Sequence, residues 1–303
     1  MASPRTTATL LVDSRCTLGE GILWSARRNA LLWTDIQRSQ LWMHSALDES
    51  TESWRLPDRL GSFAICASGR LLLGLANALF LGDIDAARGP GLPADLVVPV
   101  EPDVPSTRIN DGRTDRAGNF VFGTMNELEG HAPIGSFYQY STRHGLRRLD
   151  LGGVGIPNSI CFSLDGRTMY YCDSPTRRIM QCEYDADTAA VANAREFVRY
   201  TDEGQPDGSI IDGDGCLWNA VWGAAVVRRF TPGGILDREV AAPATNLTCV
   251  CFGGDALDEL YVTSSRQEMS DADLARMPDA GGIYRAIPGD VRGVPEVLFR
   301  DLL

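Results

Sequence analysis

The stretch DRAGNFVFGTM, residues 115–125, places a turn-forming segment directly before a run of residues that favour β-strands. Gly and Asp are frequent in tight turns, whereas Phe, Val and Thr favour an extended backbone. The same arrangement occurs five more times along the chain, each time after a turn rich in Gly, Asp, Ser or Asn. The other copies are ALLWTDI (30–36), RLLLGLA (70–76), TMYYCDS (168–174), CLWNAVW (216–222) and ELYVTSS (259–265). The chain therefore carries six related units.

The units are almost evenly spaced. Between equivalent strand residues, successive gaps are 40, 49, 49, 48 and 43 residues. An apolar run precedes most copies and another often follows, so each unit contains several short strands. A period in the forties with about four strands per unit is typical of a β-propeller. The sequence predicts an all-β, six-bladed β-propeller as a single domain over residues 1–303. Two stacked sandwich domains would need a linker near the middle, and none is found.

Two segments at the ends of this pattern carry further predictions. The segment SDADLARMPDAGG, residues 270–282, is the one stretch with a helical pattern. TATLLVD, residues 7–13, reads as a strand that pairs into the last blade together with VLFRDLL, residues 297–303. Such pairing would close the ring of blades.

Charge and hydropathy restrict the class of partner. The chain has 28 Lys and Arg against 40 Asp and Glu, a formal net charge of −12. Nucleic-acid binding needs clustered cations, so we expect no nucleic-acid partner. No apolar run is long enough to cross a membrane, and the first residues lack the apolar core of a secretory signal. We expect a cytoplasmic protein with no membrane partner, and a monomer because propellers close on themselves.

The cysteines and histidines narrow the possible chemistry. The eight Cys show no CxxC spacing and are expected to be reduced core residues. The three histidines, His44, His131 and His144, argue against a His-based nucleophilic relay or a three-His zinc site. Any metal in this protein must therefore be bound mainly by oxygen atoms.

Polar residues stand at the start of the first strand of several units. In a propeller this strand is nearest the axis, so its first residues face the central channel. The candidates are Glu20 in TLGEGILW, Asn110 and Asp111 in RINDGRTD, Asn158 in GIPNSICF, Asp207 in QPDGSIID and Asn246 in ATNLTCV. Converging carboxylates repel each other unless a cation lies between them. The pattern predicts a central metal site, although locally Glu20 and Asp207 could equally be ordinary turn residues.

Five segments, taken in order, resemble the gluconolactonase and regucalcin family, also called the senescence marker protein family. They are LGEGILW, RINDGRTDRAGNFVFGTMNE, PNSICFSLDGRTMYYCDS, PDGSIIDGDGCLW and CVCFGG. The resemblance spans nearly the whole chain. It implies a six-bladed propeller that holds one divalent metal ion in its central channel and hydrolyses sugar lactones.

The resemblance also implies roles for individual residues. The implied metal ligands are Glu20, Asn158 and Asp207. The implied substrate-binding residues are Arg108, Asn110 and Glu127, with Asp111 beside them. Asp207 is then also the expected catalytic general base, since a carboxylate at the metal lies near the attacking water. The sequence departs from the family at Ser159, where a Gly commonly follows the metal-binding Asn.

The expected reaction is the hydrolysis of an aldonolactone, such as an arabinono-, xylono- or gluconolactone, to the aldonic acid. The expected cofactor is one divalent metal ion, and oxygen ligation admits Ca, Zn, Mn, Mg or Fe. Two alternatives are a non-catalytic cation-binding propeller and another metal-dependent esterase or phosphotriesterase. Propellers of the latter kind usually carry axial histidines, which the candidate metal positions lack.

Overall fold

A computed structural model of the protein describes residues 5–201 and 203–302. Within these ranges the strands form six sheets, called blades 1 to 6 below. Two short strands come first, β1 (Arg5–Thr7) and β2 (Thr9–Val12). From the axis outward, blade 1 contains β3 (Gly19–Ser25), β4 (Ala30–Asp35), β5 (Gln40–Ser45) and β6 (Thr51–Arg55), and blade 2 contains β7 (Leu60–Ile65), β8 (Leu71–Leu75), β9 (Ala78–Gly82) and β10 (Ala94–Pro99). Blade 3 contains β11 (Thr107–Thr114), β12 (Phe120–Asn126), β13 (Phe137–Ser141) and β14 (Gly145–Arg148), and blade 4 contains β15 (Pro157–Phe162), β16 (Thr168–Asp173), β17 (Arg178–Asp185) and β18 (Ala190–Arg199). Blade 5 contains β19 (Gln205–Ile211), β20 (Leu217–Trp222), β21 (Val226–Phe230) and β22 (Leu236–Ala241), and blade 6 contains β23 (Leu247–Gly253), β24 (Glu259–Ser264) and β25 (Ile283–Ala286).

The innermost strands pack side by side around one axis. Each innermost strand contacts the next, in the order β3, β7, β11, β15, β19 and β23. Contacts between β23 and β3 close the ring. These strands are rich in buried residues because neighbouring blades cover both of their faces, as in β7 and β15, where every residue is buried. The prediction of an all-β, six-bladed propeller is confirmed. The single domain and the monomeric state stay predictions.

The first strands of the chain complete the last blades. β2 pairs antiparallel with β25 as the outermost strand of blade 6, and β1 pairs in parallel with β22 of blade 5. The predicted place of the segment 7–13 in the last blade is therefore confirmed. The segment 297–303, as far as it is described, does not join that blade, because β2 already occupies the free edge of β25. The segment instead passes beneath blades 2 and 3. There Phe299 is buried and forms an isolated β-bridge with Cys66.

A β-bulge interrupts the innermost strand of all six blades in the described part of the chain. At each site the innermost strand has one residue more than its partner strand. The bulges lie between Glu20 and Leu23, Leu60 and Ser62, Ile109 and Gly112, Asn158 and Cys161, Pro206 and Ser209, and Leu247 and Val250. A bulge bends the strand and turns a side chain away from its regular direction. Five of the predicted site residues lie at or within these bulges: Glu20, Asn110, Asp111, Asn158 and Asp207.

The remaining elements are short. The segment with a helical pattern contains α1 (Asp271–Arg276), whose start is capped by the side chains of Ser270 and Asp273. Two single 3-10 turns span Ile36–Arg38 and Ser174–Thr176. Each of the eight cysteines is buried, as predicted. Among the described residues, no helix has the length and apolar character needed to cross a membrane.

Candidate active site

The bulged ends of the innermost strands surround a cavity of 420 Å³ at one end of the axis. Five predicted site residues line it: Glu20, Arg108, Asn110, Asn158 and Asp207. They come from four blades and are brought together only by closure of the ring. A larger cavity of 620 Å³ lies at the opposite end of the strands, beside the turn at residues 26–29, and none of the predicted site residues lines it.

Glu20 and Asp207 form an acidic pair in the cavity. Asp207 is only 5% exposed, and its Oδ1 has no hydrogen-bond partner among the described residues. Burial, and next the charge of Asp111, raise the pKa of Glu20 to about 8. Burial, and next the charge of Glu20, raise the pKa of Asp207 well above its ordinary value. A buried and a partly buried carboxylate that repel each other, with one oxygen unpaired among the described residues, fit a divalent cation well.

The amide of Asn158 is held in one orientation. Its Nδ2 donates to Ser174 Oγ at 2.9 Å, and that hydroxyl donates to the Pro206 carbonyl at 2.7 Å. With Nδ2 engaged in this way, Asn158 Oδ1 is the atom left to act as a ligand. It accepts a hydrogen bond of 3.2 Å from Asn110 Nδ2. Such outer contacts orient a metal-binding side chain before the metal arrives.

Ser159 adopts the left-handed backbone conformation that glycine favours, with φ of 60°. Its hydroxyl donates to the Asp207 carbonyl at 2.6 Å, and Asn219 Nδ2 donates to both of these oxygens, at 3.2 and 2.8 Å. The departure from the common Gly therefore leaves the expected backbone conformation in place. It adds a buried hydrogen bond that ties the backbone next to Asn158 to the backbone of Asp207.

Substitutions at Ser159 should separate backbone strain from the hydrogen bond. Ser159→Ala keeps the strained backbone and loses the bond, so we expect it to lower the free energy of unfolding by about 1–2 kcal/mol. Ser159→Gly loses the same bond but relieves strain worth about 1 kcal/mol, so it should remain within about 1 kcal/mol of the wild type. Urea unfolding of both variants, without added metal, measures the difference. Equal destabilisation of the two variants would contradict this account of Ser159.

Two aspartates support the loops that precede the predicted ligands of blades 1 and 4. The Asp35 carboxylate accepts hydrogen bonds from the backbone amides of residues 17 and 18, at 2.8 and 3.1 Å. Asp173 accepts from the amides of residues 155 and 156, at 3.2 and 2.9 Å. Both carboxylates are acceptors for backbone amides, which indicates a structural role.

Arg108 and Asn110 form a hydrogen-bonded pair on the cavity wall. Arg108 is only 4% exposed, and its Nη1 donates to the Ile109 carbonyl at 2.9 Å and to Asn110 Oδ1 at 2.8 Å. Asn110 Nδ2 in turn donates to the Pro157 carbonyl at 2.9 Å. Burial lowers the pKa of Arg108 to about 10, with Glu127 opposing that shift, so the guanidinium stays charged at neutral pH.

Three sequence candidates do not line this cavity. The Asp111 carboxylate accepts a hydrogen bond of 2.9 Å from the Ile160 amide in the next blade, and burial raises its pKa. Glu127 is paired with Arg59 and Arg108 at the rim of the cavity. Asn246 Nδ2 donates to the Gln267 carbonyl. Direct contact of Asp111 or Glu127 with substrate therefore stays a prediction.

The structure adds further residues to the cavity wall, and of these sequence reasoning had selected only Trp222, as part of the sugar pocket. The cavity is also lined by His131, Gln205, Trp222, Gln267 and Glu268. Strands in a blade are antiparallel, so the end of the second strand lies beside the start of the first, as in the pairing of Gln205 with Trp222. This geometry predicts that residues just after the second strand of a blade also lie at the cavity, as Gln267 and Glu268 do after β24. His131 lies in the loop between β12 and β13, where no sequence signal points to it.

The position of the His131 ring assigns its protons. His131 Nδ1 lies 2.7 Å from the Asn126 carbonyl oxygen. A carbonyl oxygen can only accept, so Nδ1 carries the hydrogen and Nε2 of the neutral ring is an acceptor. The ring can therefore accept a hydrogen bond from a hydroxyl group in the cavity.

Comparisons with known proteins agree with this fold. The family model of the SMP-30/gluconolactonase/LRE-like region matches residues 18–266. L-arabinolactonase of Azospirillum brasilense is 44% identical over 286 residues, which cover 93% of this chain and 92% of that protein. The 6-deoxy-6-sulfogluconolactonase of Pseudomonas putida is 32% identical and covers 95% and 97% of the two chains. Regucalcin of Agrobacterium tumefaciens, a calcium-binding protein, has a TM-score of 0.90 at 28% identity, over 99% of both chains. The chain therefore belongs to the SMP-30/gluconolactonase/LRE-like family.

Proposed function

We propose that the protein is a sugar lactonase that uses one divalent metal ion to open an aldonolactone to the aldonic acid. The observation that carries the proposal is the meeting of Glu20, Asn158 and Asp207 in one cavity, where a buried Asp207 oxygen has no hydrogen-bond partner among the residues that are described. The names of the two lactonase relatives support the reaction class. The calcium-binding regucalcin neighbour supports a divalent cation.

The residues present fit such a cation. Glu20, Asn158 and Asp207 would hold it with two carboxylates and one amide oxygen, a donor set suited to Ca, Mg, Mn, Fe or Zn. When bound, the ion would supply Lewis-acid activation of the lactone carbonyl and of water. The same charge would keep both carboxylates ionised, against the effect of their burial.

The side chains of the protein account for the other parts of hydrolysis. Asp207 would accept a proton from the water whose oxygen adds to the carbonyl carbon. The bond between that carbon and the ring oxygen then breaks, and the proton passes to the ring oxygen, which becomes the new hydroxyl group. Arg108 and Asn110 would hold the hydroxyl oxygens of the sugar and so fix the ring against the water and Asp207.

The cavity suits a small polar ring. Its walls offer donors from Arg108 and acceptors from His131 and Glu268, while Trp222 provides an apolar face for the carbons of a sugar. We expect pentono- and hexonolactones as substrates. An arabinonolactone is the first candidate, because the L-arabinolactonase relative is 44% identical.

A pH-drop assay with a panel of aldonolactones tests the function. The protein should show no turnover above spontaneous hydrolysis after chelation, and at least about a hundredfold recovery when one divalent metal is restored. Calcium, manganese, magnesium, iron and zinc are added one at a time. Background rates with every metal, in a folded protein that still binds the ions, would favour the non-catalytic cation-binding propeller instead. Turnover of aryl esters or phosphotriesters but not of lactones would favour the other hydrolase class.

A further inference from the structure

Arg59 lies at the rim of the cavity, directly before β7, and reaches Glu127, directly after β12. Its Nη2 contacts Glu127 Oε2 at 2.8 Å, and its Nη1 contacts Oε1. A bidentate pair of this kind orients both partners more strictly than a single contact does. The pair connects blades 2 and 3 on the side of the candidate active site.

A second arginine, Arg108, contacts the same Glu127 carboxylate. Arg108 Nε lies 3.4 Å from Glu127 Oε1, and it is buried without a hydrogen-bond partner in the part of the chain that is described. A buried guanidinium needs a nearby negative charge, because an unpaired buried charge is strongly unfavourable. The orientation of Glu127 therefore bears directly on that of Arg108.

The same line of contacts continues to the candidate metal centre. Arg108 Nη1 donates to Asn110 Oδ1, and Asn110 Nδ2 donates to Asn158 Oδ1. Arg59, Glu127, Arg108, Asn110 and Asn158 thus form a continuous series from the rim to a predicted ligand. In this series Arg59 is the member farthest from the metal ligands.

We propose that Arg59 is a positioning residue for Arg108 and acts on it through Glu127. This inference rests on the proposed function. Two guanidinium groups engage the Glu127 carboxylate, and Glu127 is not among the described residues that line the cavity. Its side chain is 31% exposed, so without Arg59 the carboxylate can turn toward solvent and leave Arg108 without a fixed counter-charge.

The Arg59→Gln variant should bind the sugar more weakly and turn it over at a nearly normal rate. Arg108 would grip the ring in the ground state and in the transition state alike, so loss of its orientation raises KM without a matching fall in kcat. We expect KM to rise about tenfold and kcat to stay within about twofold. The Kd of the corresponding aldonolactam, which keeps the hydroxyl groups but resists hydrolysis, should rise by about the same factor in calorimetry.

Two further variants test whether the residues act as a unit. Glu127→Gln should weaken lactam binding at least as much as Arg59→Gln, and the double variant should be no weaker than Glu127→Gln alone. Arg59→Lys should recover part of the affinity, because lysine keeps the charge and loses the bidentate geometry. If Arg59→Gln proves less stable than the control variant Arg28→Gln described below, Arg59→Lys takes its place. The double-mutant cycle is then made with Arg59→Lys and Glu127→Gln.

Arg28→Gln is the matched control. Arg28 forms a comparable bidentate pair with Asp85, with contacts of 2.7 and 2.8 Å, between blades 1 and 2 at the opposite end of the strands. Its loss should leave KM, the lactam Kd and the metal content at wild-type values.

The outcomes separate this proposal from the proposed function. Wild-type KM and Kd in Arg59→Gln, multiplicative effects in the double variant, or loss of bound metal would each overturn the positioning role. A wild-type protein that binds the lactam but hydrolyses no lactone would remove the lactonase function, and the lactam Kd values would still decide on Arg59. A wild-type protein that neither binds the lactam nor hydrolyses any lactone would overturn both.

Discussion

Replacing Asp207 with asparagine is expected to lower kcat/KM for the preferred aldonolactone by at least about a thousandfold. Asparagine preserves the shape of the side chain but removes the charge that, in the proposed mechanism, holds the cation and accepts the proton. Asp207 is 5% exposed, and in the described part of the chain its Oδ1 has no hydrogen-bond partner, so this oxygen is free to meet a cation. Steady-state kinetics together with measurement of bound metal check the prediction.

The same substitution should have the opposite effect on stability. In the metal-free protein Asp207 repels Glu20, and burial penalises both charges. Asp207→Asn removes one of these charges, so the metal-free variant should unfold at a higher temperature than the metal-free wild type at pH 8. A gain in stability that accompanies the loss of activity would distinguish a lost functional group from a damaged fold.

Asp165→Asn serves as the comparison variant. Asp165 lies in the turn between β15 and β16, at the end of the blade away from the cavity, where it accepts hydrogen bonds from Ser163 and Arg167. Its kcat/KM should stay within about twofold of wild type. If Asp207→Asn retained both its metal and its turnover, neither role of Asp207 would hold. Full metal content with lost turnover would leave only the role as base.

The second large effect concerns the pH dependence of stability and its reversal by metal. Glu20 has a pKa of about 8 in the folded, metal-free protein against an ordinary value of 4.5. A carboxyl group whose pKa is raised by folding favours the folded state while it is protonated. Its contribution is full below about pH 4.5 and is lost as the pH rises to about 8. The metal-free protein should therefore unfold at a lower temperature at pH 8 than at pH 6.

Added metal should reverse this trend. At a free concentration about a thousandfold above its Kd, a ligand stabilises the folded state by about 4 kcal/mol, or about 8 °C for a chain of this size. Protons compete with the cation for the same carboxylates, so the gain should be larger at pH 8 than at pH 6. Thermal scans at both pH values, with chelator and with excess metal, measure the effect.

Glu20→Gln separates this group from the general charge of the protein. The chain has a formal net charge of −12, and repulsion among surface carboxylates also changes with pH. The variant should show a flatter pH dependence without metal and little stabilisation by metal. An unchanged slope in Glu20→Gln would mean that other groups cause the pH dependence.

The fold was predictable from the sequence because its signal is repeated. Each blade repeats the same turn and second strand, so an ambiguous copy such as RLLLGLA gains support from the other five. The place of the segment 297–303 was not predictable. Its apolar residues suit a strand, but β2 already fills the edge of blade 6, and Phe299 finds a buried place beneath blades 2 and 3. Which of the two apolar segments pairs with the outer edge of β25 depends on how all six blades pack together.

The residues of the site were predictable to the extent that they start an innermost strand. Glu20, Asn158 and Asp207 were found in this way and do share one cavity, while their metal and catalytic roles stay predictions. The orientations at the bulge of blade 3 were not predictable. There Asn110 and its neighbour Asp111 both bond to the next blade, at Asn158 and Ile160, although successive side chains of a regular strand point to opposite faces; the extra residue of the bulge allows this.

The pairing of β2 with β25 also sets the order of events during synthesis. β2 ends at Val12 and β25 begins at Ile283, so the two strands emerge from the ribosome far apart in time. At roughly 5–20 residues per second, β2 waits about 15–55 s for its partner. Throughout that interval the unfinished ring has an open seam and an unpaired strand, which is the state most exposed to wrong pairing with other chains. Substitutions in β2 should therefore reduce the yield of folded protein in cells more than their effect on the finished molecule would suggest.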